Sequence, residues 1–241
     1  HAIRKAVEEA QLGASCEIHN VCAAVTGGHA GGITSQGMVA VKGEEVSPAD
    51  VANVIEVART VALPTECEIL HVLPKEFLVD GQERGRRPVG TSGVRLEGSV
   101  HLVTVANGAL DGIRRCCERA GLHVNHIQFA PLAAAEAVLT PEEQEMGVLL
   151  VDIGAGTTGL ALFSRGAVVH TAVLPVGGYN MTNDLAIGMR IPIAEAEKMK
   201  QRHGCALGDL ITPGEMVEMP KVGGRDPSPV PRRRLSDIIE P

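Results

Sequence analysis

The stretch of this chain best suited to chemistry is DIGAGTTG, residues 152–159. A carboxylate at a strand end, followed by Gly154, Gly156, Thr157 and Thr158, puts small residues where backbone N–H groups can approach a phosphate and form an anion-binding concavity. The Thr157 hydroxyl adds a donor, and Asp152 suits a hydrated Mg²⁺, which prefers one or two carboxylates together with phosphate oxygens. Residues 154–159 also fit the GxGxxG dinucleotide pattern. Context opposes that reading. In a dinucleotide-binding unit the third glycine opens a helix whose N-terminus carries the pyrophosphate. Here residues 160–170 read as a strand with a hairpin turn at 164–166, and no Asp or Glu follows at ribose-binding distance. A nicotinamide-dependent oxidoreductase is therefore disfavoured. The plain alternative is a tight β-hairpin whose glycines serve only backbone conformation.

Two further groups could join this loop. Gly177 and Gly178 open the next helix, where backbone N–H groups can face a phosphate or ribose. Glu197 and Lys200 are three residues apart and share one helix face, which is also the spacing of an ordinary exposed ion pair. Asp152 is the only candidate for orienting a water, and no general base with a substrate pocket accompanies it, so binding and assembly are expected rather than catalysis.

The remaining composition narrows the function classes. With 241 residues the chain holds one to two domains, and 44% hydrophobic with 21% charged residues excludes wholesale disorder. Three Phe, one Tyr and no Trp leave no aromatic platform for stacking single-stranded bases. A net charge of −7 gives no nucleic-acid footprint, so no nucleic-acid partner is expected. Nine histidines show no zinc spacing, and six cysteines without a CxxC pair read as thiols packed as small hydrophobes, in a reducing cytoplasm. No run approaches the ~18 apolar residues of a membrane span. The opening HAIRKAVEEAQL reads as an amphipathic helix with Ile3, Ala6, Val7, Ala10 and Leu12 on one face; starting inside a helix, and without Met, suggests a fragment.

The elements that must position the loop fall into blocks. Ser47 as N-cap and Pro48 at the first helical position announce a helix within VSPADVANVIEVARTVAL, residues 46–63. Strand-like CEILHVLPKEFLVD and GVRLEGSVHLVTVA flank a polar hairpin, so residues 29–104 read as one helix against an antiparallel sheet. Residues 107–140 read as helix, strand and helix, and residues 146–178 as two or three long strands joined by glycine turns. Two helices follow, and the Pro/Gly-rich tail from Gly214, with Arg232, Arg233 and Arg234, reads as a solvated linker or edge strand.

VDIGAGTTGLALF resembles the second phosphate loop of the actin, Hsp70 and sugar-kinase superfamily. Its continuation, HTAVLPVGGYNMTNDLAIGMRIPIAEAEKMKQRHGCAL, resembles the FtsA family of bacterial cell-division proteins more closely. So do LHVLPKEFLVDG, PVGTSGVRLEGSVHLVT and AGLHVNHIQFAPLAAAEAVLT, which extends the resemblance over nearly the whole chain. One departure is visible: the family shows two glycines after Asp-Ile, where this chain has Gly154 and Ala155.

The resemblance implies an α/β fold of actin-like (ribonuclease H-like) lobes, with an inserted small α+β module of the strand–helix–strand–strand (SHS2) type. The implied division is residues 1–28 as the end of the first lobe, 29–104 as the inserted module, 105–145 as the first lobe continued, and 146–241 as the start of the second lobe. It implies ATP and Mg²⁺ as cofactors, with at most weak ATP turnover. Asp152, Gly154, Gly156, Thr157 and Thr158 would serve the metal and phosphates, and Gly177, Gly178, Glu197 and Lys200 the rest of the nucleotide. The implied partners are FtsZ, further copies of the protein in filaments, and later division proteins through the small module. The implied address is the cytoplasmic face of the inner membrane, reached through a C-terminal amphipathic helix absent from this chain. A fragment without its family's two ends is expected to bind nucleotide poorly and membrane not at all. The alternatives are another actin-like assembly protein, such as a PilM-like pilus-assembly protein, or an Hsp70-like chaperone.

Overall fold

The computed structural model describes residues 2–219 and 228–240. The part of the expected linker at residues 220–227 lies outside the described residues, as do His1 and Pro241. The chain divides into two compact units, one of residues 1–152 with 159–174, the other of residues 153–158 with 175–241.

The first unit opens with helix α1 (Ala2–Ala14), which buries no residue. Strand β1 (Asn20–Val25) then leads to β2 (Ala30–Ala40), helix α2 (Pro48–Arg59), β3 (Cys67–Val79), the two-residue β4 (Gln82–Glu83) and β5 (Arg95–Ala106). Strands β2 to β5 form one antiparallel sheet in the order β2-β5-β3-β4. The register of β5 on β2 runs unbroken from Ala30 opposite Val105 to Ala40 opposite Arg95. That of β5 on β3 shifts between Ile69 and His71 and again between Pro74 and Glu76. The second shift sits at the proline, which has no N–H for a ladder and is tolerated inside a sheet only at such irregularities.

Helix α2 forms where its caps predict. The Ser47 Oγ accepts from the Asp50 N–H at 3.2 Å while the Asp50 carboxylate accepts from the Ser47 N–H at 3.0 Å, a reciprocal capping box. The Ser47 hydroxyl, which also donates to the Asp50 carboxylate at 2.6 Å, and then the Ser47 N–H hold the Asp50 carboxyl below the usual carboxylate range. The helix lies on one face of the sheet, burying Val54 against Phe77, Val79 and Leu96, and Ala58 against Val100 and Leu102. Close approach is possible because Gly37 and Gly98 face each other across β2 and β5 beneath it. A Cβ on Gly37 would sit 2.6 Å from the Ala58 amide nitrogen, and one on Gly98 would sit 3.1 Å from Val54 Cγ1.

After β5 come helix α3 (Asn107–Arg119), β6 (His123–Phe129), α4 (Ala130–Val138) and the short α5 (Pro141–Met146). Strand β6 pairs in parallel with β1. The meander β7 (Val148–Ile153), β8 (Thr158–Ser164) and β9 (Ala167–Leu174) follows in the order β7-β8-β9. Its β8–β9 turn carries Arg165 at φ 51° and Gly166 at φ 70°, two consecutive left-handed residues as a tight hairpin requires. Val103 of β5, Phe129, Leu132 and Ala135 around α4, and Leu150, Ala161, Phe163 and Val168 of the meander make one core.

On the sheet face away from α2, the His101 ring is almost wholly buried and shares a 2.8 Å hydrogen bond between Nε2 and Thr171 Oγ1 of β9. Burial, aided by His170 and Lys75, lowers its pKa to about 4. The folded ring is therefore neutral where an unfolded one would already be charged. Its contribution to stability is complete above pH about 6.5 and is lost as the pH falls toward 4, at up to about 1.4 kcal/mol per pH unit. An NMR titration is expected to show no His101 protonation on going from pH 7 to 5; a ring charging near 6.5 would contradict this placement.

The second unit holds α6 (Gly178–Met189), α7 (Ile193–His203), a 3₁₀ turn (Gly208–Leu210), the hairpin β10 (Met216–Met219) with β11 (Ser228–Pro231), and α8 (Arg232–Ile239). Leu185, Met189, Ile191, Ala196, Met199 and Leu235 are its core. Here two expectations are corrected. Arg232–Ile239 is a helix rather than a linker or edge strand: Leu235 is fully buried, and Arg232 is anchored to Glu215 at 2.9 Å. The cysteines are all free but are not all packed inside: Cys117 is buried, while Cys16, Cys22 and Cys116 are exposed. Adjacent Cys116 and Cys117 point in different directions from α3, so only one can reach its packed face.

Candidate functional site

The glycine loop, the N-terminal end of α6 and the inward face of α7 come together within the second unit. The loop closes on itself through a 2.9 Å bond from the Gly154 N–H to the Thr157 carbonyl. It is fixed to α6 by its own carbonyls: the Gly178 N–H donates to Gly154 O at 3.0 Å, and the Tyr179 N–H to Ala155 O at 2.6 Å. The Gly177 N–H is taken by Asn180 Oδ1 at 2.9 Å. The amides expected at a phosphate on Gly177 and Gly178 are thus engaged inside the protein in this structure.

That engagement dictates where the loop's own amides point. A trans peptide sets its N–H opposite its C=O. With the carbonyls of Gly154 and Ala155 turned toward α6, the N–H groups of Ala155 and Gly156 must turn away from it. Neither they nor the Thr157 N–H has a hydrogen-bond partner among the described residues, and Gly154, Ala155 and Gly156 are solvent-exposed. Successive free amides of this kind form an anion-binding concavity. A Cβ on Gly156 would meet nothing within 4 Å, whereas one on Gly177 would lie 2.6 Å from Gly154 O and 2.7 Å from Ala155 O. The glycine at 177 is therefore required by the loop's carbonyls lying against it. Thr158 spends its hydroxyl on Val176 O at 2.8 Å, pinning the loop's exit.

Glu197 and Lys200 form an ion pair at 2.8 Å that is part-buried. Lys200 Nζ also donates to Gly178 O at 2.9 Å and to Thr182 Oγ1 at 2.8 Å, and Thr182 donates in turn to Glu197 Oε2. Gln201 Nε2 donates to Glu197 Oε1 at 2.8 Å. The pair thus supports the turn from below. Asn180 and the fully buried Thr182, central to this network, go unnoticed in the sequence, where they are ordinary residues of an amphipathic helix. Lys200 first, then Thr182 and Gln201, hold the Glu197 carboxyl down to about 2. A depressed carboxyl stabilises the fold above its ordinary 4.5 and loses that contribution as pH falls toward 2. Lys200→Met is expected to return the Glu197 pKa toward 4.5, read by carboxyl-carbon NMR; an unchanged value would show that the ammonium is not its main partner.

Asp152 is the penultimate residue of β7, just before Ile153, and is half-buried. Among the described residues no group of three His, Cys, Asp or Glu side chains could hold a metal by itself.

Comparison with known proteins gives this arrangement a class. The fold resembles that of the PilM-PilN type IV pilus biogenesis complex, with a TM-score of 0.60 at 21% identity, covering 84% of this chain and 56% of that one. The chain has the α/β fold of actin-like proteins carrying an inserted SHS2 domain. The family described as cell division protein FtsA matches residues 149–237, and the SHS2 domain inserted in FTSA matches residues 27–104. Among relatives, cell division protein FtsA of Pseudomonas aeruginosa is 44% identical over 240 residues, that of Escherichia coli K12 is 43% identical over 239, and that of Bacillus subtilis is 36% identical over 242. These alignments cover 100%, 99% and 100% of this chain, and 58%, 57% and 55% of the relatives' own lengths. The chain belongs to the FtsA family of cell-division proteins.

Proposed function

We propose that the chain is the nucleotide-binding part of an actin-like division protein that binds ATP with Mg²⁺, polymerises, and tethers FtsZ filaments to the inner membrane. The observation that supports the nucleotide reading is the exposed loop whose Ala155 and Gly156 amides are turned outward and, like the Thr157 N–H, have no partner among the described residues. Three N–H donors, small residues and a hydroxyl are the donor set a phosphate chain takes. In this reading Gly154, Gly156 and Thr157 contact the phosphates, while Thr158, Gly177 and Gly178 hold the loop in shape. Glu197 and Lys200 serve the sugar side of the nucleotide. Asp152 is the metal carboxylate, and a single carboxylate is adequate because Mg²⁺ keeps waters and phosphate oxygens as its other ligands. The bound metal would offset phosphate charge. The chain's own residues bind and orient; none is assigned a proton transfer.

Division rather than pilus assembly is favoured by 36–44% identity to FtsA proteins over essentially the whole chain. The partners follow from family membership: FtsZ, further copies of the protein, and later division proteins through the small domain. Among the described residues no helix is long and apolar enough to cross a membrane. Attachment to the cytoplasmic face is assigned to a C-terminal amphipathic helix of the whole protein. The test is co-sedimentation with FtsZ filaments, using the Pseudomonas aeruginosa relative carrying this chain in place of its matching segment. ATP-dependent pelleting with FtsZ is the expected result. A folded graft that binds ATP yet stays in the supernatant would remove the tether reading.

A further inference from the structure

Charge is unevenly spread in the first unit. Lys75 of β3, Arg84, Arg86 and Arg87 of the segment after β4, and Arg165 of the β8–β9 turn all line one cleft of roughly 900 Å³. In a chain of net charge −7, five cations around one cleft reverse the local sign. Three carboxylates line it too, Glu76, Glu83 and Glu145. Two cations are committed to structure. Arg165 pairs with Glu83, and Arg86 donates to the Gly166 carbonyl, so together they fasten the β3–β4 hairpin segment to a turn some 80 residues further along the chain. The others are not. Lys75 and Arg87 have no acidic partner among the described residues, and Arg84 donates only to the Gln82 amide oxygen, at 2.8 Å.

We propose that this cleft binds a small, multiply charged phosphate compound, held by Lys75, Arg84 and Arg87. A concave site walled by protein focuses the field of such cations on whatever enters. The guanidinium forks of Arg84 and Arg87 each match two phosphate oxygens at once. The volume is that of a small-molecule site. Glu76 and Glu145 set a threshold, because they repel an anion and leave the cleft attractive only to a ligand of high charge density. Cations from two segments, β3 and the stretch after β4, converging on a recess suit a free compound better than a flat lipid surface. A ligand there would add a third link between the hairpin segment and the β8–β9 turn.

The test is calorimetric titration of the whole chain with inorganic tripolyphosphate, at low ionic strength and again at about 0.2 M salt. Measurable binding that weakens with salt is expected. The double variant Arg84→Ala/Arg87→Ala should bind at least tenfold more weakly, and Glu76→Gln more tightly, with unchanged circular dichroism in both. Thr157→Val should leave unaltered the part of the binding that the double variant removes, which separates the cleft from the glycine loop. Equal binding by the double variant would overturn the proposal. So would loss of binding in Thr157→Val alone, or affinity confined to phosphatidylglycerol vesicles or to polyglutamate.

Discussion

Replacing Gly37 with alanine is expected to destabilise the small domain by about 3 kcal/mol, the upper range for forcing one extra carbon into a packed site. The added methyl would stand 2.6 Å from the Ala58 nitrogen and 3.1 Å from its Cα, both backbone atoms that cannot rotate aside. Helix α2 must then lift from the sheet, opening the contacts of Val54 with Phe77 and Leu96 and of Ala58 with Val100 and Leu102. Gly43→Ala is the matched control, since its methyl would come no closer than 3.7 Å to Glu45 O. A lowered urea midpoint at unchanged slope for the first variant, and no change for the second, is the expected pattern. Equal stability of the two would show that α2 does not rest on the glycine pair.

Gly177→Ala should abolish most nucleotide affinity while sparing the fold. Gly177 has φ −163°, an extended conformation open to any residue, so the penalty is purely steric. Its methyl would push on Gly154 O and Ala155 O, the carbonyls that receive the Gly178 and Tyr179 amides. Once these bonds break, nothing keeps the Ala155 and Gly156 N–H groups aimed outward. A fall of more than tenfold in ATP affinity, over 1.4 kcal/mol, is expected. Gly178→Ala, one residue on, should change affinity less than threefold. Its methyl would stand 3.5 Å from Lys200 Nζ and 3.9 Å from Gly154 O, both ordinary van der Waals distances that require nothing to move. Reversal of this order would mean that the loop is not held by its carbonyls.

Local chemistry made much of this readable. Ser47 and Pro48 announce α2 because a capping box and a preset φ act within one turn of helix. Arg165-Gly166 announces the hairpin because its demands are local, and the strand after the glycine loop separates it from a dinucleotide turn. What distant packing decides was hidden. Thr182 is a plain helix residue until α7 brings Glu197 and Lys200 beneath it, 15 and 18 residues later. The direction of the loop amides depends on which carbonyls α6 captures, and no spacing encodes that. Helix α8 was masked by the prolines just before it. Its signal lies in Leu235, Ile238 and Ile239, whose partners are on other elements. Strand β7 opens on four consecutive apolar residues, yet Leu149 and Val151 stay about half exposed while Leu150 is buried.

The most direct test of the account is a titration of a fluorescent ATP analogue, with and without Mg²⁺, into the Pseudomonas aeruginosa relative carrying this chain as its matching segment. Saturable binding that Mg²⁺ strengthens, and that Gly177→Ala removes while Gly178→Ala does not, is the predicted result. A folded graft with no affinity for ATP, or with affinity indifferent to position 177, would contradict the assignment of residues 152–158 as a phosphate site.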